Sequence, residues 1–224
     1  MTIESFLNER DIKVHDMDLI KQAFIHSSYA NEHHSDHDNE RLEFMGDAVL
    51  QLWSSAHIYP LELSEGEMTT LRAKLVCEKA LSEYAKALKL NELIKLGAGE
   101  EKNGGRDKES IVADMFEAFL GALYLDCGME AVDVILEEVL LPKLDTPDEL
   151  DTIRDYKTKL QEYVQSDTRK TVYYELVSQS GPPNNPQFVM QVKMDSIILG
   201  TGTGNSKKKA EQAAARNAFE KMVR

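Results

Sequence analysis

Residues 111–125 read IVADMFEAFLGALYL, and Asp114 and Glu117 are the only charged side chains in that run. At helical spacing its apolar residues cover the whole circumference, which marks a helix buried on every side. Carboxylates at i and i+3 share one helix face. Held in an apolar body, they need a cation or hydrogen bonds to offset their desolvation. A structural ion pair with a distant Arg would satisfy them, and so would a metal ion.

Towards the N-terminus, residues 39–50 read NERLEFMGDAVL. Glu40, Glu43 and Asp47 stand at i, i+3 and i+7, within about 60° of one another on one helix face. Leu42, Met45, Val49 and Leu52 cover the other side, and Phe44, Leu50 and Trp53 leave little of the circumference polar. A solvated acidic face is the ordinary reading of such a stripe. Here few Lys or Arg lie within a turn, and like charges at this spacing repel. Two helices that each present carboxylates from an apolar body suggest the walls of a divalent-metal site, where all-oxygen ligation favours Mg²⁺ or Mn²⁺ over zinc. A di-iron centre would require Glu-x-x-His on paired helices, and neither helix has it.

The first 140 or so residues continue in this manner, with almost no β-branched alternation, which predicts an all-α body with helices at about 2–10, 16–25, 39–58, 64–88, 109–126 and 129–141. Pro142 and the stretch Asp145-Thr-Pro-Asp-Glu-Leu-Asp151 then suit a solvated linker. The expected organisation is a domain at 1–147, a linker at 148–153 and a second domain at 154–224. In that tail the period changes. A short helix holds Tyr156, Leu160, Tyr163 and Val164, strands follow at Thr171–Ser178, Gln187–Met194 and Ser196–Thr201, and Ala210 to Met222 forms a last helix, giving an α+β domain of order α-β-β-β-α.

Hydrophobic residues at 42% and charged residues at 29% of 224 describe a globular chain. No stretch reaches the roughly 18 uncharged apolar residues of a membrane span. The opening MTIESFLNERDIK lacks the basic and apolar regions of a signal peptide. Cys77 and Cys127 offer no disulfide framework or zinc spacing and read as core fillers, so a cytoplasmic location is expected. The net charge of −13 argues against a nucleic-acid partner until the chain is divided. Residues 1–150 carry 14 Lys+Arg against 31 Asp+Glu, whereas residues 151–224 carry 12 against 8 and are net basic. Within the tail, Gly200-Thr-Gly-Thr-Gly-Asn-Ser-Lys-Lys-Lys-Ala-Glu places lysines at a helix N-terminus. The dipole disfavours cations there. Lysines beside free N–H groups suit a phosphate, and the glycines would allow close backbone approach.

The stretches NERLEFMGDAVL at 39–50, EGEMTTLRAKLV at 65–76 and GGRDKESIVADMFEAFLGALYLD at 104–126 resemble the motifs of bacterial ribonuclease III. In the tail, DYKTKLQEYV, GPPNNPQF and GxGxGxSKKxAE resemble the double-stranded RNA-binding domain. The resemblance implies a ribonuclease III fold and a metal-dependent endoribonuclease that cuts double-stranded RNA as a homodimer and leaves 5′-phosphates, 3′-hydroxyls and short 3′ overhangs. Its expected role is the processing of ribosomal and other structured RNA precursors. It also implies Glu43, Asp114 and Glu117 as ligands of Mg²⁺, with Mn²⁺ as substitute, and Asp47 as the residue that positions or deprotonates water. Glu40 and Glu65 would be accessory acids, and Phe44 would pack into the partner subunit, although closing the core is its alternative role. Thr158, Gln161 and Glu162 would face one minor groove, the 181–188 turn with Asn184 in place of the family's frequent His would face the next, and Lys207 and Lys208 would meet phosphates. A non-catalytic double-stranded RNA-binding regulator is the alternative. A membrane partner and a nucleotide cofactor are not expected, since Gly97–Gly105 lacks the GK[ST] ending of a P-loop. The His33, His34 and His37 loop has metal-like density but reads as polar surface, and Arg106 reads as a loop residue that could touch the RNA backbone.

Overall fold

The computed structural model describes residues 1–144, 155–168, 170–182 and 184–222. The chain divides into two compact units, Met1–Ile153 and Arg154–Arg224. The expected linker lies outside the described residues. The first unit is helical: α1 (Ile3–Asn8), α2 (Met17–Gln22), α3 (Ser27–Glu32), α4 (Glu40–Ile58), α5 (Glu65–Leu75), α6 (Glu78–Ala87), α7 (Ala98–Lys102), α8 (Glu109–Cys127), α9 (Met129–Val139) and α10 (Leu141–Leu144).

Helix α8 is the buried axis of this unit, as its composition demands. From Ile111 to Leu123 every residue except Asp114 and Glu117 is buried. Phe119 anchors the core, its ring 6.0 Å from that of Phe6 and 5.4 Å from that of Phe24. The last turn emerges, leaving Tyr124 and Leu125 exposed. Helix α4 lies across α8 at two glycines. A Cβ on Gly46 would overlap the Glu117 carbonyl, and one on Gly121 would overlap the carbonyl of Leu42 and crowd the Gly46 nitrogen, so only hydrogen at both positions permits this approach.

The expected helix at 64–88 is broken. Val76 leaves helical geometry and Cys77 is extended, with φ −73° and ψ 153°, so α5 and α6 are separate. No Pro or Gly announces this break. Leu71 and Leu75 of α5 and Leu81 and Ala85 of α6 all reach the core across the break. Cys77 consequently caps α6 on the surface instead of filling the core. Leu52, expected on the apolar side of α4, is 62% exposed. Short polar α3 and α7 carry too few apolar positions to register as periodic.

The second unit runs α11 (Tyr156–Thr168), β1 (Tyr173–Ser180), β2 (Gln187–Met194), β3 (Ile197–Gly204) and α12 (Lys207–Met222). The strands form one antiparallel sheet in the order β1-β2-β3. Its core joins Tyr156, Leu160 and Val164 of α11 to Val192 of β2 and to Ala214, Ala215 and Ala218 of α12. The glycines expected to admit a phosphate have another use. Gly200, Gly202 and Gly204 lie within β3, where added Cβ atoms would strike the backbone of α12 at Ala214, Ala213 and Ala210. Their absent side chains let the alanine face of α12 settle onto the strand.

Replacing Gly46 by Ala should therefore destabilise the protein by about 1–3 kcal/mol or more, the usual effect of overpacking a filled core. Gly66→Ala, in an open helix position with nothing within 4 Å, should be neutral or stabilising. Urea titration of both variants against the parent checks the pair.

Candidate metal centre

Asn39, buried and held by its N–H to the Ile25 carbonyl at 2.9 Å, fixes the start of α4. Glu43 follows one turn later, and the glycine crossing then sets it opposite α8. The result is a compact carboxylate group: one oxygen from each of Glu43, Asp114 and Glu117 lies within 4.8 Å of the others, and all three side chains are half-buried. Among the described residues none of the three has a Lys or Arg ion-pair partner, so the reading of a distant Arg is not realised.

The electrostatics follow from that arrangement. Burial, then the charges of Asp47, Glu43 and Asp114, push the Glu117 carboxyl up to about 8. Burial, then Asp114, Glu40 and Asp47, raises Glu43. Burial and the charge of Glu78 raise Asp114, while His26 opposes them. A divalent cation is the chemistry such a site fits: hard oxygen donors, excess negative charge and no built-in counter-ion.

Asp47 is exposed one turn beyond Glu43 and accepts a long hydrogen bond, 3.4 Å, from Gln51. Glu40, also exposed, acts on the group through its charge on Glu43. Glu65 stands apart from it, at the first position of α5, lining a cavity of about 250 Å³ with Ser55, Tyr59 and Arg72. Sequence reading missed Glu78 and His26, the neighbours that act on Asp114. Glu78 opens α6 just after the unforeseen break, and no spacing in the sequence points from it to α8.

Phe44 is 79% exposed, so it does not close this unit's core. Beside it a cavity of about 720 Å³ is lined by Leu19, Leu42, Met45 and Leu125 among others. Arg106 is braced internally, donating to Glu101 at 2.6 Å and to the Glu92 carbonyl at 2.9 Å. His33 stacks on Tyr29 with ring centroids 3.9 Å apart. Cys127 is half-buried, its thiol pushed up to about 12 by burial and by Asp126.

In the second unit Thr158 and Glu162 are exposed on α11. Gln161 is instead engaged, accepting from the Val172 N–H at 3.1 Å and so tying α11 to the chain entering β1. Asn184 is exposed in the turn before β2, where the Asn185 N–H reaches the Pro182 carbonyl at 2.9 Å. Lys207 and Lys208 project into solvent from the first turn of α12, neither paired to a described acid, while Ser206 caps that helix by accepting from the Lys209 N–H at 3.2 Å.

Residues 16–144 match the family described as ribonuclease-III-like, and residues 156–222 match the double-stranded RNA binding motif. The chain belongs to the ribonuclease III family. A relative named Ribonuclease 3 from Listeria welshimeri is 48% identical over 213 residues, covering 93% of this chain and 92% of the relative. Ribonuclease 3 of Halalkalibacterium halodurans is 49% identical over 205 residues, 90% of this chain and 78% of its own length. The crystal structure of the ribonuclease III nuclease domain from Campylobacter jejuni superposes with a TM-score of 0.58 at 34% identity, over 64% of this chain and 97% of that one. A second structure of that nuclease domain, with a TM-score of 0.57 at 34% identity over 62% of this chain and 99% of that one, is described as flexible in a region involved in dimer formation.

The raised Glu117 carboxyl contributes to the pH response of the metal-free ribonuclease III chain. A carboxyl whose folded pKa exceeds its unfolded value favours folding at low pH, and that contribution is lost as pH rises from about 4.5 to about 8. In EDTA, the melting temperature of the parent should therefore fall relative to that of Glu117→Gln across this window. Added Mg²⁺ at pH 8 should raise the parent and leave the variant nearly unmoved. Paired thermal melts across pH check both.

Proposed function

We propose that this chain is a divalent-metal-dependent endoribonuclease that hydrolyses phosphodiester bonds of double-stranded RNA, leaving 5′-phosphate and 3′-hydroxyl ends with short 3′ overhangs. The observation that carries the reading is the Glu43–Asp114–Glu117 group with no internal cation. These three carboxylates would hold Mg²⁺, for which Mn²⁺ could substitute. Bound there, the cation supplies charge for the scissile phosphate and for the leaving 3′-oxygen and lowers the cost of making hydroxide. Asp47, exposed beside the group, orients the attacking water and takes its proton. Glu40 adds negative charge at the rim of the site, and Glu65 is assigned as an accessory acid of the cleft.

The nuclease domain is assigned to 1–147 and the RNA-binding domain to 154–224, joined by a linker at 148–153. In the latter domain, Thr158, Glu162 and the Asn184 turn read the shape of an A-form minor groove, with Gln161 buttressing them, and Lys207 and Lys208 bind phosphates. Exposed Phe44 enters a partner subunit, and the resulting homodimer sets two acidic sites against opposite strands, which accounts for staggered cuts. The substrates are ribosomal and other structured RNA precursors in the cytoplasm. A non-catalytic regulator would have no use for four acids kept in apolar helices.

Single-turnover cleavage of a long duplex RNA in Mg²⁺ tests the reading. Glu117→Gln should lower the rate by about two orders of magnitude or more while duplex binding survives. A rate within a few-fold of the parent would remove Glu117 from the ligand set. Changing Lys207 and Lys208 to Ala should weaken binding and reduce the log–log salt slope by about one unit for each phosphate that is no longer neutralised; an unaltered slope would refute the phosphate assignment. Phe44→Glu should shift sedimentation at micromolar concentration from dimer to monomer.

A further inference from the structure

At the far end of α8 from the carboxylate group, a second set of ligand atoms converges. A ring nitrogen of His15, an oxygen of Asp126 and Sγ of Cys127 lie within 4.8 Å of one another. His15 Nδ1 is 3.8 Å from Asp126 Oδ2, and Cys127 Sγ is 3.1 Å from the same oxygen. With metal–ligand bonds of about 2.0–2.3 Å, a tetrahedral zinc separates its ligand atoms by about 3.3–3.6 Å, a value bracketed by those two distances. A small rotation of the imidazole completes the fit, and the ring is free to make it: the His15 side chain is 79% exposed, against 5% for Asp126.

The carboxylate is already held in place. Asp126 Oδ2 accepts from the His15 N–H and Oδ1 from the Asp16 N–H, both at 2.8 Å. Oδ1 keeps a lone pair to offer, and the Oδ2 lone pair that accepts from the Cys127 thiol is released when that proton leaves; the backbone hydrogen bonds orient the carboxylate for a metal. Asp16 does not compete for the site, since its own carboxylate caps α2 by accepting from the Asp18 and Leu19 N–H groups at 3.1 and 3.0 Å. The donor set is one imidazole, one thiolate and one carboxylate. Soft and borderline donors of this kind select Zn²⁺ over Mg²⁺, the reverse of the all-oxygen group around Glu117.

We propose that His15, Asp126 and Cys127 form a Zn²⁺ site, with water as the fourth ligand, that clamps the chain entering α2 to the end of α8. Binding replaces the thiol proton, which leaves to solvent. Glu117 and Asp126 stand nine positions apart, about 13.5 Å along the helix axis, so this centre is distinct from the carboxylate group and tunes the stability of α8 without touching the scissile phosphate. The cysteine, which no motif in the sequence explained, thereby acquires a role.

The test uses the full chain, stripped of metal and titrated with Co²⁺ alone. A sulfur-to-cobalt charge-transfer band should grow to one equivalent per chain and be displaced by added Zn²⁺. Cys127→Ser should abolish the band, and His15→Ala should weaken Co²⁺ binding about tenfold or more. Cys77→Ser and Glu117→Gln should leave it intact. No band in the parent, or a band that survives Cys127→Ser or disappears with Cys77→Ser, overturns the proposal. A check on unaltered protein is the alkylation rate of each cysteine mapped by mass spectrometry. Zn²⁺ should slow alkylation at Cys127 and not at Cys77, and equal rates with and without Zn²⁺ at Cys127 would also overturn the site.

Discussion

Where α4 crosses α8, Gly46 rests against the Glu117 carbonyl and Gly121 against the carbonyl of Leu42. Two helices bearing side chains at those positions would stand further apart, and their carboxylates with them. The crossing instead drives Glu43 towards Asp114 and Glu117 until their oxygens share a volume a few ångströms wide. Hydrophobic burial of Phe116, Phe119 and their neighbours holds the helices together against this repulsion. The raised Glu117 carboxyl registers that repulsion, and a bound cation would relieve it.

The architecture was largely legible because it rests on periodicity. An apolar run interrupted only by Asp114 and Glu117 can be little else than a buried helix, and the switch from helical to alternating spacing after residue 155 locates the α+β unit. What escaped was set by tertiary packing. The break at Val76–Cys77 has no Pro or Gly behind it, so nothing in the spacing announces it. Short α3 and α7 are too polar to show a period. The acids at i and i+3 announced a site, but that the two stripes face one another depends on the glycine crossing, and that Glu78 and His26 border it depends on how α6 and the turn before α3 pack against α8. Neither is encoded by spacing along one helix.

Glycine serves the same purpose in the second unit. Gly200, Gly202 and Gly204 resemble a phosphate-cradling loop when read as a string, yet each faces α12 from within β3. What remains for an anion is the exposed first turn of α12 with its lysines. Opposite charge is thus divided between the units, with an excess of acid in the first and of base in the second. A pI of about 4.9 for the whole chain averages these away.

If the glycine crossing builds a divalent-cation site between α4 and α8, anomalous diffraction from crystals grown with Mn²⁺ will reveal it. A strong anomalous peak is expected within coordination distance of Glu43, Asp114 and Glu117 together. A map with no peak there, or with Mn²⁺ seated only on surface acids away from Glu117, would contradict it.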